Sequence, residues 1–437
     1  MSMRKEGLST ENLFLICDAI ITGFFSVCYL YQIFFIIYEL LKKNKKPESA
    51  KPSKLHKFGV IICARNEQSV IGGLIDSIKR QDYPKELIDI FVVADNCTDY
   101  TAKYAEAAGA TVFERCNQNL IGKGYALNFA FKKLLTDEYD HDAYLIFDAD
   151  NLVDKDFVKE MNLKLCEGFR VLTSYRNSKN YGTNWITSGY SLSFIREARY
   201  LNKAREDLKM CCAISGTGFC LSRAIVEKNQ GWKHHLLTED IEFTVDSVIQ
   251  GEKFGISYNS VLYDEQPVNF KNSWNQRLRW AKGFYQILGQ YGGKLLKGIF
   301  KGSFACYDFL ITLFPASAYT VYNVIKAIVE CVCGFVSFSG NLNFFRLAFN
   351  CLWPVISCFA FMYLIFFAMG LVTMITEHNV IRAKRREKVR SLFTYPLFMI
   401  TYCPIAIVAI FKKVEWTPIP HTVEATIDDL DDKKVKK

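Results

Sequence analysis

Phe58-Gly-Val-Ile-Ile-Cys-Ala-Arg-Asn-Glu67 is the stretch on which the fold turns. Phe58–Cys63 is an apolar run of strand length that breaks into a polar turn, the pattern of a strand covered on both faces. Gln68–Arg80 follows with helical spacing. The alternation then repeats: strand Ile88–Ala94, helix Thr98–Ala108, strand Thr111–Glu114, helix Gly124–Leu135, strand Ala143–Phe147. Strands alternating with helices predict βαβ units and a mostly parallel sheet. In such sheets ligands bind beyond the carboxyl ends of the strands. Three of those ends carry polar residues: Ala64-Arg65-Asn66-Glu67, Ala94-Asp95-Asn96 and Asp148-Ala149-Asp150. No Gly-x-Gly-x-x-Gly follows the first strand and no P-loop string is present, which disfavours those nucleotide sites.

Outward from this domain the chain turns apolar. It has 437 residues, half of them hydrophobic and 15% aromatic, with a net charge of +9. That excludes a disordered or fibrous chain, and the clustering of apolar residues at both ends argues against a purely soluble one. Leu13–Leu41 is long enough to cross a bilayer, too long for a signal-peptide core, and lacks a small-residue cleavage site. The lysines that follow (Lys42, Lys43, Lys45, Lys46) place its distal end, and the middle of the chain, in the cytoplasm. Phe304–Phe338, Phe345–Thr376 and Leu392–Phe411 are further membrane candidates, with the basic loop Glu377–Arg390 on the cytoplasmic side. The last is flanked by basic residues on both sides and contains Pro396 and Pro404, so a full span and a re-entrant hairpin stay open. The expected organisation is an anchor over residues 1–41, a catalytic domain over 42–273, an amphipathic interfacial region over 274–303, a membrane region over 304–411 and a polar, solvated tail over 412–437. The scattered cysteines read as reduced thiols. The positive charge sits beside membrane segments, where anionic lipid rather than nucleic acid is the expected partner.

Several strings carry chemistry. Asp148-x-Asp150 offers two hard oxygen ligands suited to Mg²⁺ or Mn²⁺, which would stabilise a diphosphate leaving group. The spacing alone is weak, since Asp429-x-Asp431 repeats it in the tail; the strand-end position separates the two. Thr238-Glu239-Asp240 precedes a helix and reads either as a cap or as the source of a general base. Gln276-Arg-Leu-Arg279-Trp280 puts Gln276, Arg279 and Trp280 on one helical face, fit for a phosphate and a sugar ring, or for a membrane surface. Asp18, Lys326 and Glu330 are ionisable groups near membrane depth. A mutual Lys326–Glu330 pair is the expected arrangement, with a polar path for a glycan as the sharper alternative.

In order along the chain, Ala64-Arg65-Asn66-Glu67, Ala94-Asp95-Asn96, Gly122-Lys123-Gly124-x-Ala126-Leu127-Asn128, Asp148-x-Asp150, Gly216-Thr217-Gly218, Thr238-Glu239-Asp240 and Gln276-x-x-Arg279-Trp280 resemble the membrane-embedded, processive family 2 glycosyltransferases, such as the cellulose, chitin, hyaluronan and poly-N-acetylglucosamine synthases. The resemblance implies a GT-A type (Rossmann-like) α/β domain with flanking transmembrane helices, and inverting transfer from a UDP-sugar. It implies that Ala64, Arg65, Asn66, Glu67 and Asp95 line the uridine site and that Lys123 reaches the nucleotide. Asp148 and Asp150 would hold a Mg²⁺ or Mn²⁺ ion and the diphosphate. Asp240, with Glu239 beside it, would be the base. Gly216, Thr217 and Gly218 would border the acceptor, and Gln276, Arg279 and Trp280 would hold the diphosphate and the acceptor sugar. Tyr263-Asp264-Glu265-Gln266-Pro267 matches a further family segment. The implied product is a β-linked polysaccharide made at the cell membrane from UDP-N-acetylglucosamine or UDP-glucose, with a glycan acceptor, the bilayer, and a homo-oligomer or export partner as associates. Transfer of one sugar to a lipid, and a transporter with a soluble regulatory domain, are the alternatives. The string at Gln276 speaks against the first and the lack of an internal repeat against the second.

Overall fold

The computed structural model describes residues 10–42, 52–313, 315–336, 344–415, 421, 423 and 425–430. A long helix, α1 (Thr10–Leu41), leads into β1 (Phe58–Ala64), α2 (Ile71–Lys79), β2 (Ile88–Asp95), α3 (Thr101–Ala107), β3 (Thr111–Arg115), α4 (Lys123–Leu134) and β4 (Ala143–Asp148). These are the elements the periodicity predicts, each within a few residues. Next come β5 (Leu152–Val153), α5 (Phe157–Cys166), β6 (Val171–Ser178), α6 (Trp185–Arg196), α7 (Lys203–Asp207), β7 (Phe219–Ser222), α8 (Arg223–Lys228), α9 (Glu239–Ile249) and β8 (Phe254–Asp264). The chain continues through α10 (Phe270–Phe300), α11 (Phe304–Leu313), α12 (Pro315–Val336), α13 (Phe344–Thr376), α14 (Arg385–Ile400) and α15 (Tyr402–Phe411).

One eight-stranded sheet has the order β3-β2-β1-β4-β7-β6-β8-β5. Its first four strands are parallel; β7 then enters antiparallel to β4 and β6. The sheet is therefore mixed, with β3, β2, β1 and β4 as its all-parallel end. Strand β1 shows why its apolar run does not alternate. Val60 and Ile62 pack with Ile71, Leu74 and Phe157 on one face, while Ile61 packs with Leu127, Phe131 and Ile146 on the other. Side chains alternate across a strand, so helices on both faces require apolar residues at every position. The register pairs Ala64 with Ala94 and Cys63 with Asp148, so three strands end at one edge.

Three helices among the described residues are long and apolar enough to cross a membrane: Ile16–Leu41, Ile356–Thr376 and Arg385–Phe411. The last joins α14 to α15 across a break at Thr401 and makes one 27-residue candidate by length and composition. Within the expected stretch Phe304–Phe338, Phe304–Leu313 (α11) and Pro315–Val336 (α12) are helical, and residue 314 lies outside the described residues. Residues 337 and 338 of that stretch lie outside the described residues. The α/β domain joins the apolar helices through buried polar contacts. Arg205 of α7 makes two hydrogen bonds to Asp308 of α11, at 2.7 and 2.9 Å, and Tyr31 of α1 donates to the same carboxylate at 2.8 Å. Lys326 lies 2.7 Å from Asp18 and 3.9 Å from Glu330, so its nearer partner is on α1 and not on its own helix. Among the described residues no cysteine is in a disulfide.

The tail departs from its reading as a solvated end. Residues 425–430 lie against the domain. Leu430 is fully buried and packs on Leu152 and Tyr263, Asp428 pairs with Arg80, and Thr426 donates to Asp429. A charged stretch can dock this way because one apolar side chain enters a gap while its neighbours face water. Asp431, the second acid of the tail's repeat, falls outside the described residues.

Candidate active site

The site is built from strand ends. Asn66 and Asn96 take left-handed φ values of 59° and 54° just past β1 and β2, which turns the chain sharply outward. Asn tolerates this conformation because its short amide bonds locally. The Asn66 side chain accepts from the Thr98 amide at 2.8 Å, and Asn96 accepts from the Asn117 amide at 2.8 Å. Asp95 is buried and paired with Arg115 at the end of β3. Burial raises the Asp95 carboxyl above its ordinary range, and Arg115 opposes that rise. Glu67, also pushed up by burial, faces His421 of the tail at 3.0 Å.

Beyond β4, Lys123 at the start of α4 bonds the Asp148 carboxylate and donates to the Gly216 carbonyl at 2.6 Å. Its ammonium is held between the strand end and the glycine turn. Asp150 is buried, and one of its oxygens accepts from the Glu265 amide at 3.1 Å. Gly216 and Gly218 have positive φ values of 73° and 66°. A methyl group on Gly216 would lie 3.7 Å from an Asp240 oxygen, so Asp240 approaches the same turn from α9. Thr238 occupies the cap position of α9 but makes no capping side-chain bond, so the cap reading of this string finds no support in the geometry. Burial pushes Glu239 up to about 7, reinforced by the charge of adjacent Asp240, and burial raises Asp240 as well.

The helix α10 carries the last string. Arg279 donates to the Leu237 carbonyl at 2.9 Å and so fixes the loop that presents Glu239 and Asp240. Trp280 meets Tyr190 edge-on at 5.8 Å and Phe194 at 6.2 Å, in a cluster with Phe398 of α14. The side-chain oxygen of Gln276 is buried without a protein partner. Arg277 is wholly buried and donates to Thr401 at 2.6 Å, joining α10 to the break between α14 and α15.

Residues missed in the sequence complete the site. Glu242 accepts from the amides of His235 and Leu236, both at 2.9 Å, and holds the loop before Thr238. Arg115 pairs with Asp95, and Arg176 and Asn151 bond Asp264, which lies in the Tyr263–Pro267 segment that the resemblance singles out. The acidic spacing within Glu239-Asp240-x-Glu242 was visible; the arginines lie in strands whose place only pairing reveals.

Among the described residues no three His, Cys, Asp or Glu side chains gather into a preformed metal cage. Two carboxylates at one strand end still fit a divalent cation that takes its other ligands from phosphate and water, as Mg²⁺ commonly does.

Residues 56–283 match the family described as glycosyltransferase like family 2. A probable glycosyltransferase of Sulfolobus acidocaldarius is 26% identical over 276 residues, 60% of this chain and 58% of that protein. The β-monoglucosyldiacylglycerol synthase of Synechocystis is 26% identical over 233 residues, 52% of this chain and 47% of that protein. The chain thus spans about half to three fifths of the length of these relatives. The mannosyltransferase PcManGT from Pyrobaculum calidifontis, solved in complex with GDP-Man and Mn²⁺, shares the fold with a TM-score of 0.56 at 15% identity, over 90% of this chain and 97% of that one. A mixed sheet with acids at its parallel edge defines a GT-A type domain. The chain belongs to glycosyltransferase-like family 2, and among its described residues three helices are long and apolar enough to cross a membrane.

Proposed function

We propose that the protein transfers a hexose from a UDP-sugar, with inversion, to an acceptor hydroxyl at the cytoplasmic face of the cell membrane. The observation that carries this reading is the convergence of Lys123, Asp148 and Asp240 on the Gly216 turn. A leaving group held at Asp148 and Asp150 would face a base at Asp240. The acceptor oxygen bonds to the anomeric carbon, the bond from that carbon to the β-phosphate oxygen breaks, and UDP leaves. Asp240 takes the hydroxyl proton. Glu67, Asp95 and the Asn66 turn supply the uridine wall, while Glu239 raises the basicity of its neighbour. A divalent cation held by Asp148 and Asp150 would neutralise the departing diphosphate.

The favoured product is a growing β-linked polysaccharide from UDP-N-acetylglucosamine or UDP-glucose, a reading supported by the order of the strings. Single transfer to a lipid is the second reading. It is favoured by the likeness to a β-monoglucosyldiacylglycerol synthase and by the contact of the Trp280 cluster with Phe398 of a membrane-candidate helix. Full-length protein in nanodiscs, offered UDP-glucose, UDP-N-acetylglucosamine, UDP-glucuronate and UDP-galactose separately and in pairs with Mg²⁺ or Mn²⁺, tests both. A high-mass ladder supports the polymer, a single glycolipid supports the lipid acceptor, and no UDP release with any donor overturns the assignment.

A further inference from the structure

Arg176 lies in the C-terminal half of β6 between the acidic loop and the aromatic wall, and the reaction as written gives it no task. All three of its nitrogens are engaged. Nε donates to Asp264 at 2.9 Å, Nη2 bonds the same carboxylate, and Nη1 donates to the Ser215 carbonyl at 3.2 Å. The side chain is 14% exposed. Three of its five N–H groups are thereby committed to the protein.

Asp264 is the hub of a closed network. It also accepts from Asn151 at 2.9 Å and from Gln266 at 2.8 Å. Asn151 in turn accepts from the Thr217 hydroxyl, and that hydroxyl accepts from the Asp148 amide at 2.9 Å. The network therefore reaches from Arg176 to the backbone of Asp148 and to the turn at Gly216–Gly218. On its other face the Arg176 guanidinium lies 3.8 Å from the centre of the Phe194 ring, and Phe194 meets Trp280 edge-on. One side chain touches both the loop that would hold the diphosphate and the wall that would hold the acceptor. Lysine could keep the charge but not the planar fork and the ring stack together.

We propose that Arg176 is a positioning residue that sets the acceptor wall against the donor loop, so that the sugar passes to the acceptor and not to water. This rests on the transfer reading above. Without the stack, Phe194 and Trp280 lose their registration with the anomeric carbon, while the donor loop keeps Asp148, Asp150 and Lys123. A misplacement of the acceptor by about 1 Å can cost on the order of a hundredfold in transfer rate. Water needs no such positioning.

The test uses full-length wild type, Arg176→Lys, Phe194→Leu and the double variant, with UDP release and acceptor product measured in parallel, and with donor binding and thermal midpoint as companions. Arg176→Lys is expected to bind donor within about twofold of wild type, to lose about tenfold or more in transfer, and to release several UDP molecules for each sugar transferred. The double variant is expected to be little worse than Arg176→Lys, because both changes break one stack. Transfer and hydrolysis falling in the same proportion, or fully additive losses, would mark a merely structural ion pair and overturn the proposal. If Arg176→Lys fails to fold, Phe194→Leu must show the raised UDP-to-product ratio by itself, and a normal ratio there overturns it. No UDP release by the wild type with any donor defeats the transfer reading itself, and this role with it.

Discussion

Gly283 of α10 lies directly beneath Thr238. A methyl group added there would sit 2.8 Å from the Thr238 Cγ2 atom and 3.0 Å from its Cβ. The helix can approach the loop before Asp240 only because this position lacks a side chain. Gly283→Ala should displace Thr238 and with it Glu239 and Asp240. Overpacking of this kind costs roughly 1–3 kcal/mol. The transfer rate should fall by about tenfold or more if the displacement approaches 1 Å. Steady-state transfer kinetics beside a thermal melt would check this. Unchanged transfer would mean that Thr238 moves without carrying Asp240.

The Glu239–Asp240 pair makes stability and activity respond to pH in opposite directions. Glu239 holds its proton up to about 7 in the folded protein, because of burial and the neighbouring carboxylate. The unfolded chain gives up that proton near pH 4.3. Between these values the folded state binds more protons, so rising pH lowers this pair's contribution to stability. Burial raises Asp240 in the same direction, so transfer should rise with pH as this base loses its proton. Melting temperatures and kcat/KM profiles on one sample would show the crossing trends. Glu239→Gln should move the acidic limb of the rate profile downward, and a limb that stays fixed would assign it to another group.

Divalent cation dependence should centre on Asp150. Asp150→Asn keeps the acceptor for the Glu265 amide but removes one hard anionic ligand. UDP release should fall by about a hundredfold, an effect comparable with losing a transition-state charge partner. Excess Mn²⁺ should recover part of it. Chelation of the wild type should silence UDP release, and activity that survives exhaustive chelation would remove the ion from the mechanism.

The docked tail can be displaced by one substitution. Leu430→Asp would put a charge into the gap formed by Leu152 and Tyr263. Burial of a leucine contributes about 1.5–3 kcal/mol, enough to hold so short a segment. Protease cleavage near residues 421–430 should accelerate. The donor KM should rise several-fold, in the manner of lost uniform binding, because the partner of Glu67 leaves with the tail. Faster cleavage with an unchanged donor KM would separate docking from donor binding.

The sequence made the parallel half legible because each βαβ step is local. Phe58–Ala64, Ile88–Asp95 and Ala143–Asp148 announce themselves by apolar runs that end in acids. Strand β8 does not. It carries Ser257, Asn259 and Ser260 within its span, and its partner β6 lies some eighty residues away. The same distance hid the pairing of Arg176 with Asp264, 88 residues apart, although Asp264 itself lies in a segment the sequence singles out. Helical spacing pointed Lys326 toward Glu330, yet its closer partner, Asp18, is 308 residues away. Composition read the tail correctly as polar and could not show that Leu430 enters the domain. Local pattern reports backbone state and facing; it does not report which distant charge a side chain will meet.

The contact of His421 with Glu67 has a consequence for how the molecule comes into being. His421 is made after every helix that joins the membrane to the domain, and Glu67 before nearly all of them. The Glu67 side of the strand-end edge therefore closes only after the ribosome has passed Phe411, the last residue of α15. During its own synthesis the domain would be open on that side. Under the proposed function, donor use would begin only after the last membrane-candidate helix has been made.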